Sequence, residues 1–267
     1  MTAGQNPYSL LQQTQRQRVS DGQQLGVLAG CDWADRVLVL VLPQLGDFDS
    51  LEYAWWVQRA AAQLQAAKIA VRAVGIGDRA AGEQFCAYTQ FPAEQLLVDP
   101  TAELHRALGL YPGLALKVPG FSAGQNAWFN LLLMCAGIGS PGTLAEVLRG
   151  YRGDRRAPQL IADDETVKAA FLPPLTGATF HLAGGKGFQR PFELATLRLR
   201  NMAEVLGRWR TYVPDPAYLT QRGGTFYFDR AGQLLYEHRD RGILGFATDM
   251  SNPLAFLALE PLHYITQ

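Results

Sequence analysis

The chain has 267 residues with 24 basic and 24 acidic side chains, so no global charge draws it to nucleic acid or to an anionic membrane. Hydrophobic residues make up 48% of the chain, which is enough to bury a sizeable core. The three cysteines form no CxxC pair and no Cys/His cluster with zinc spacing, which favours a reducing compartment. No apolar stretch reaches the roughly 20 residues of a membrane span, so no transmembrane segment is predicted.

The first part of the chain predicts alternating strands and helices. Residues 1–30 are a polar lead-in, partly helical around residues 9–17. Apolar and β-branched runs predict buried strands at 36–42 (RVLVLVL), 68–76 (KIAVRAVGI) and 95–98. Helices are expected at 51–67, 80–89 and 102–108, with Thr101 capping the last of them. This order makes the strands parallel, with right-handed crossovers.

Residues 111–215 have a different character, being rich in Gly and Pro, and only a weak strand is predicted there, at 179–182. Helices are expected at 126–135 and 191–209. The second of these carries an apolar face that is predicted to pack against the protein: Phe192, Ala195, Leu199, Met202, Leu206 and Trp209. Its arginines are predicted to lie away from that face: Arg190, Arg198, Arg200 and Arg208.

The end of the chain returns to regular structure. Strands at 224–229 and 233–239, joined by a short turn, predict a β-hairpin, and residues 252–259 predict a closing helix. The whole pattern predicts an α/β, thioredoxin-like three-layer fold with a central mixed sheet. It forms a single domain, 1–267, with a long helical insertion, 111–215, before the C-terminal hairpin.

Three stretches of the sequence resemble the AhpC/TSA peroxiredoxin-like family. Residues 223–240 (GGTFYFDRAGQLLYEHRD) resemble its terminal hairpin, 76–100 its second strand, helix and third strand, and 140–158 its insertion. The resemblance extends over roughly residues 10–259. It implies the thioredoxin fold and, in ordinary members, a peroxide-reducing thiol.

The loop that carries the reactive cysteine in this family reads LPQLGDFDSLEY here, at residues 42–53. By this resemblance Asp47 stands at the place of the peroxidatic cysteine, and Asp49 or Ser50 at that of a second one. A carboxylate cannot become a sulfenic acid or enter a disulfide. The resemblance therefore implies a divergent member that lacks the peroxidatic cysteine.

The residues of this loop have two interpretations. Asp47, Asp49 and Ser50 precede a helix, so they are candidates for capping its free N–H groups. Alternatively, the two carboxylates line a polar or cation-binding pocket, although no third metal ligand is evident. As redox thiols, Cys31 and Cys86 are the alternatives. Cys86 is otherwise a small buried residue, whereas Cys31 is expected to be more exposed.

Basic and aromatic residues supply candidate binding surfaces. Gly184 to Gly187, with Lys186 and Arg190, could cradle an anion or form a tight turn. A basic cluster, either a docking site for an acidic partner or a solvated surface, is formed by Arg149, Arg152, Arg155 and Arg156. Trp55 and Trp56 are adjacent on a helix, so either one faces a partner or both pack against the insertion.

Three functional hypotheses follow. The first is a non-catalytic binding or assembly factor for a protein partner, with no cofactor and no metal. By analogy with the family, it would act at the photosynthetic membrane, cytoplasmic or stromal and peripheral to the thylakoid. The second is a thiol-dependent antioxidant oxidoreductase with a relocated cysteine. The third is a small-molecule binder that holds an anion near Arg190 or a cation at Asp47. The missing thiol and the arginine surfaces favour the first.

Overall fold

The computed structural model of the chain describes residues 6–170 and 172–259 and has an α/β fold built around a mixed sheet. Its strands are β1 (Gln15–Arg18), β2 (Gln24–Gly26), β3 (Arg36–Gln44), β4 (Ile69–Ile76), β5 (Leu96–Val98), β6 (Thr166–Val167), β7 (Leu175–Thr176), β8 (Gly224–Asp229) and β9 (Leu234–Arg239). Its α-helices are α1 (Pro7–Gln13), α2 (Phe48–Arg59), α3 (Ala61–Ala66), α4 (Arg79–Thr89), α5 (Glu103–Ala107), α6 (Ala123–Cys135), α7 (Thr143–Arg152), α8 (Glu193–Gly207) and α9 (Trp209–Tyr212). Short 3₁₀ helices lie at Gly177–Ala183, Pro216–Tyr218 and Ala255–Leu257.

The central sheet has seven strands in the order β2-β1-β5-β4-β3-β8-β9. Strands β3, β4 and β5 run parallel, and β8 and β9 continue the sheet antiparallel beyond β3. Parallel central strands with an antiparallel hairpin at one edge confirm the predicted thioredoxin-like fold.

Strand β3 shows why the sheet is buried on both faces. Its residues are almost all apolar, and successive side chains of a strand point to opposite faces. Two separate cores receive them: Leu38, Leu40 and Leu42 enter one, and Val37, Val39 and Val41 enter the other. Helices α2 and α4 contribute to the first core, and α1 and α5 to the second, which gives three layers.

The lead-in contains more strand than the sequence indicated. Helix α1 ends at Gln13, and β1 follows at once, pairing with both β2 and β5. Strand β1 has the sequence QRQR and is mostly half-buried between β2 and β5. Because it contains no apolar residues, it lacks the alternation of apolar and polar residues by which a strand is recognised.

Several element boundaries correct the sequence-based predictions. The expected weak strand at 179–182 lies within the 3₁₀ helix Gly177–Ala183, and the closing helix at 252–259 is reduced to the 3₁₀ helix Ala255–Leu257. Helix α7 was not predicted. Thr101 does not cap α5, because the carboxylate of Asp99 instead accepts the N–H of Leu104 at 2.8 Å.

Helix α8 buries a different face from the predicted one. Leu194, Leu197 and Val205 are buried, whereas Phe192 is 56% exposed and Leu206 is 54% exposed. The helix is apolar on more than one side. The side that carries Leu194 and Leu197 packs in a small core formed within the insertion. The prediction that the arginines face outward is wrong for Arg190 and Arg198, which are buried or nearly so in ion pairs.

Candidate functional site

The site begins at the end of β3, where the chain turns into α2. The side chain of Asp47 caps α2 by accepting the N–H of Asp49 at 3.0 Å. Ser50 points back instead, and its hydroxyl donates to the carbonyl of Gln44 at 2.8 Å. Of the three polar residues in this loop, only Asp47 caps the helix, because the other two side chains are bonded elsewhere.

Arg222 holds this loop from the opposite side. Its Nη2 lies 2.6 Å from Oδ2 of Asp47, and its Nη1 lies 3.4 Å from Oδ2 of Asp49. The guanidinium is completely buried and also donates to the carbonyls of Thr220 and Leu219. The carboxylates considered as a cation site are therefore balanced by the chain's own cation.

A close backbone approach brings Arg222 into place. Gly223 follows it directly, and a Cβ atom at Gly223 would lie 2.3 Å from the carbonyl oxygen of Val41. Only glycine lets the segment before β8 run so near β3. The carboxylate of Asp240 accepts the N–H of Gly223 at 3.2 Å, which places a third acid beside the guanidinium.

Three carboxyl groups lie beside the single guanidinium of Arg222, and burial together with this excess of acids shifts the pKa values of two of them. Burial, reinforced by Asp47, raises the pKa of Asp49 well above its ordinary value, against the pull of Arg222. Burial likewise raises the pKa of Asp240 to about 8. Burial opposes the charge of Arg222, yet the carboxylates of Asp47 and Asp49 outweigh it and raise its pKa. The cluster thus keeps a permanent cation, and burial shifts the protonation equilibria of Asp49 and Asp240 toward their neutral forms.

A second ion pair ties α2 to the insertion. Nε of Arg198, on α8, lies 2.7 Å from Oε2 of Glu52, and its Nη2 lies 3.5 Å from Glu146 on α7. Burial opposes the charge of Arg198, but Glu52 and Glu146 raise its pKa. The insertion is therefore fixed on the helix whose first turn forms the site.

An apolar cavity of about 270 Å³ opens beside the start of α2. One wall is the loop Gln44–Phe48, most of the rest comes from the insertion, and Leu219 and Ile243 complete the lining. The insertion side chains that line it are Trp128, Leu131, Leu132, Cys135, Met202, Val205, Leu206, Trp209 and Val213. The rings of Trp128 and Trp209 stack with their centroids 4.6 Å apart. The apolar face predicted on α8 thus partly lines this cavity instead of the core.

Comparison with known families identifies the fold group. A family profile described as AhpC/TSA antioxidant enzyme matches residues 56–242. The chain belongs to this family. A search of curated proteins finds no match. The matched region begins after the loop with Asp47, Asp49 and Ser50, so the family match covers β4, β5, the insertion, β8 and β9 but leaves β1 to β3 and that loop outside it.

The cysteines of this AhpC/TSA chain are all free, and none lies at the start of α2. Cys31 is buried, contrary to the expectation of greater exposure, and burial raises its pKa. Burial raises the pKa of Cys86 to about 12. Cys135 is exposed at the cavity, where partial burial and the carboxylate of Asp47 raise its pKa. At neutral pH all three are thiols rather than the reactive thiolates.

The predicted binding residues separate into distinct places. Trp55 and Trp56 are both half-buried beneath the insertion, with their rings 5.2 Å apart edge to face. Arg190 is fully buried between Glu193 and Asp163, and Lys186 pairs with Asp163 at 3.3 Å. Acids pair with both cations beside Gly184–Gly187, which favours the tight turn over the anion cradle at this place.

The basic cluster is only partly available for binding. Arg149 pairs with Glu146 at 2.8 Å and is mostly buried. Arg152, Arg155 and Arg156 are exposed. Arg156 donates to Ser251, and Arg155 lies over the ring of Phe188 at 5.7 Å. Three of the four predicted arginines thus face solvent at the end of α7.

Sequence reasoning missed Arg222, Asp240 and the cavity. Arg222 stands alone in QRGG, and only its position directly before the Gly-Gly pair of the family-like hairpin could have marked it. Asp240 closes the same hairpin motif. Neither residue is near Asp47 in sequence, so only the folded sheet brings them together.

Proposed function

We propose that this protein is a non-catalytic member of the AhpC/TSA family that serves as a binding or assembly factor for a protein partner. One observation carries the proposal: the first turn of α2, where the family resemblance places a reactive thiol, holds the ion pair of Asp47 and Arg222. A guanidinium next to a helix N-terminus would favour a thiolate. Here the same groups neutralise a carboxylate, which has no redox chemistry.

The thiols support this proposal over the alternative of a relocated catalytic cysteine. Peroxide reduction needs a thiolate, and burial raises the pKa of Cys31 and Cys86 away from neutrality. Cys135 is accessible, but the nearby carboxylate of Asp47 disfavours its ionisation. None of the three is placed like the activated cysteine of an antioxidant enzyme.

The cavity supplies a place for a partner. Apolar concave sites with aromatic walls are where partner side chains anchor most strongly. Met202 and Leu206 line this cavity with partly exposed side chains, although Leu194 and Leu197 of the same helix are buried. In our proposal an apolar side chain of a protein partner enters the cavity, and the exposed arginines near α7 contact an acidic region of a partner.

The cellular setting stays a prediction from the family resemblance alone. No helix in the described part of the chain is long and apolar enough to cross a membrane. If the protein is peripheral to the photosynthetic membrane, washing isolated membranes with high salt or alkaline carbonate releases it. Its recovery in the first soluble fraction, without any washing, would contradict that setting.

The absence of catalysis is tested by treating the purified protein with hydrogen peroxide and an alkyl hydroperoxide in the presence of a sulfenic-acid trap. Intact mass should show no adduct on any cysteine. Rapid labelling of one cysteine, removed by its Cys→Ser change, would show instead that the chain is a redox enzyme.

The binding role is tested by affinity capture from native extract with matched surface variants. Wild type and Leu234→Lys should recover the same specific protein, because Leu234 is exposed on β9, away from the cavity lining. Met202→Lys places a charge in the cavity wall and should lose that protein. Equal recovery by all three forms would contradict a role for the cavity.

A further inference from the structure

A row of exposed apolar side chains follows the outer side of α7. Leu144, Leu148 and Tyr151 are spaced four and three residues apart, so they share one helix face. Each is about half exposed. The ring of Tyr151 meets the ring of Phe192 edge to face, with centroids 5.9 Å apart. These four side chains are named the α7 face.

The backbone is strained where this face ends. Phe192 has φ of +66°, in the left-handed region that bulky residues rarely adopt. Its N–H donates to the carbonyl of Tyr151 at 3.3 Å, and its side chain remains 56% exposed. The strain therefore holds an aromatic ring in solvent against α7 instead of burying it, and such strain persists where surrounding structure enforces it.

The exposed charges at the carboxyl-terminal end of α7 are positive, and the acid there, Asp154, pairs with Arg149 and Arg156. Glu146, the acid of α7, is neutralised by Arg149 at 2.8 Å and by Arg198 at 3.5 Å. Arg152 and Arg155 are exposed at the end of α7, and within the described residues Arg152 has no ion-pair partner. Toward the amino terminus, the sequence contains no Asp or Glu between positions 103 and 146.

We propose that the α7 face docks this protein on the surface of an anionic lipid bilayer. A short helix with leucine and aromatic side chains on one face and arginines beside them lies in the plane of the headgroups. The apolar side chains enter the acyl boundary, and the arginines contact lipid phosphates. The face is a row on one helix and lines no part of the apolar cavity, so it suits sideways entry into a bilayer better than enclosing a partner's side chain.

This inference rests on the part of the proposed function that gives the exposed arginines an acidic partner, and it names that partner as lipid. It does not depend on the redox or cavity proposals, because no residue of the α7 face lines the cavity. If a cysteine proved reactive with peroxide, or if no partner entered the cavity, the protein could still bind lipid through α7.

The test is co-sedimentation of the full chain with vesicles of phosphatidylcholine alone and of phosphatidylcholine with about 30 mol% phosphatidylglycerol. We expect binding to the anionic vesicles only, weakened by salt. Leu148→Asp should lower the partition coefficient about tenfold or more, and Arg152→Glu should lower it about fivefold or more. Leu235→Asp is the matched control, because Leu235 on β9 is 48% exposed and Leu148 is 46% exposed.

Three results would overturn the inference. The first is wild-type chain left in the supernatant with anionic vesicles. The second is partitioning of Leu148→Asp equal to that of wild type, or an equal loss in Leu235→Asp. The third is that the wild-type chain forms a dimer in solution, Leu148→Asp dissociates this dimer, and neither form binds vesicles. The α7 face would then be a self-association surface. Thermal unfolding confirms that each variant is folded, and Leu148→Ser replaces Leu148→Asp if the latter is not.

Discussion

Nη2 of the buried Arg222 lies 2.6 Å from Oδ2 of Asp47, although 175 positions separate the two residues in sequence. The contact joins the segment before β8 to the N-terminus of α2. It also decides what the start of α2 can do, because the guanidinium there is already paired with a carboxylate.

Removing the guanidinium should strongly destabilise the fold. Arg222→Leu leaves Asp47 and Asp49 without their cation in a buried site, and the loss of one partner of a buried pair costs about 3–5 kcal/mol. Urea unfolding measures the change. Arg208→Leu is the control, because Arg208 is about half exposed in its pair with Glu204, and such a pair is worth about 1 kcal/mol or less. Equal losses in the two variants would contradict a special role for Arg222.

The stability of the protein should decline as the pH rises from about 6.5 to about 8. Burial raises the pKa of Asp240 to about 8, whereas an aspartate in the unfolded chain has a pKa of about 3.9. In this window the folded state holds a proton that the unfolded state has lost, so the free energy of unfolding falls with rising pH. Asp240→Asn should make the slope shallower, and Asp49, whose pKa is also raised, contributes with the same sign. An unchanged slope would contradict this assignment.

On the acid side, His105 should add a second trend, opposite in sign to that of Asp240, which still holds its extra folded-state proton there. Its Nε2 donates to the carbonyl of Leu42 at 2.7 Å, and burial lowers its pKa to about 4. In the unfolded chain the histidine has a pKa of about 6.5. Protonation of His105 therefore stabilises the unfolded state as the pH falls from about 6.5 to about 4. Urea unfolding of His105→Gln, which keeps an N–H donor, should lose this part of the pH dependence. Parallel curves for the two proteins would count against it.

The ion pair between α2 and α8 should stabilise the docking of the insertion. Arg198→Met leaves Glu52 buried without its cation, so we expect a loss of about 3–5 kcal/mol. The double change Arg198→Met with Glu52→Leu should recover much of this loss, because a packed apolar pair avoids the desolvation cost. Urea unfolding of both variants measures the difference. A double variant no more stable than Arg198→Met would contradict this explanation.

The central sheet was predictable because its strands carry their own signal. RVLVLVL and KIAVRAVGI are long apolar runs that only a strand buried on both faces accommodates, and β3 and β4 occupy them almost to the residue. Strand β1, with the sequence QRQR, carries no such signal, because it gains its place by pairing with β2 and β5 rather than by burying apolar side chains.

The site was less predictable for a physical reason. The spacing of apolar residues shows that α8 is apolar on more than one side, but it does not show which side packs against the core. In the structure, the side that carries Leu206 lines the cavity. The loop around Asp47 could be singled out from the family resemblance. Its partner Arg222 was marked only by its place before the Gly-Gly pair of the hairpin, because an ion pair across the sheet leaves no other mark in the local sequence.

The most direct test of the account compares wild type with Asp47→Cys under hydrogen peroxide and a sulfenic-acid trap, read by intact mass. The introduced thiol would lie at the N-terminus of α2 beside Arg222, two features that lower the pKa of a thiol and favour the reactive thiolate. We predict that Asp47→Cys is labelled and wild type is not. Labelling of wild type at Cys31, Cys86 or Cys135 would contradict the claim that this chain has kept the fold without the chemistry.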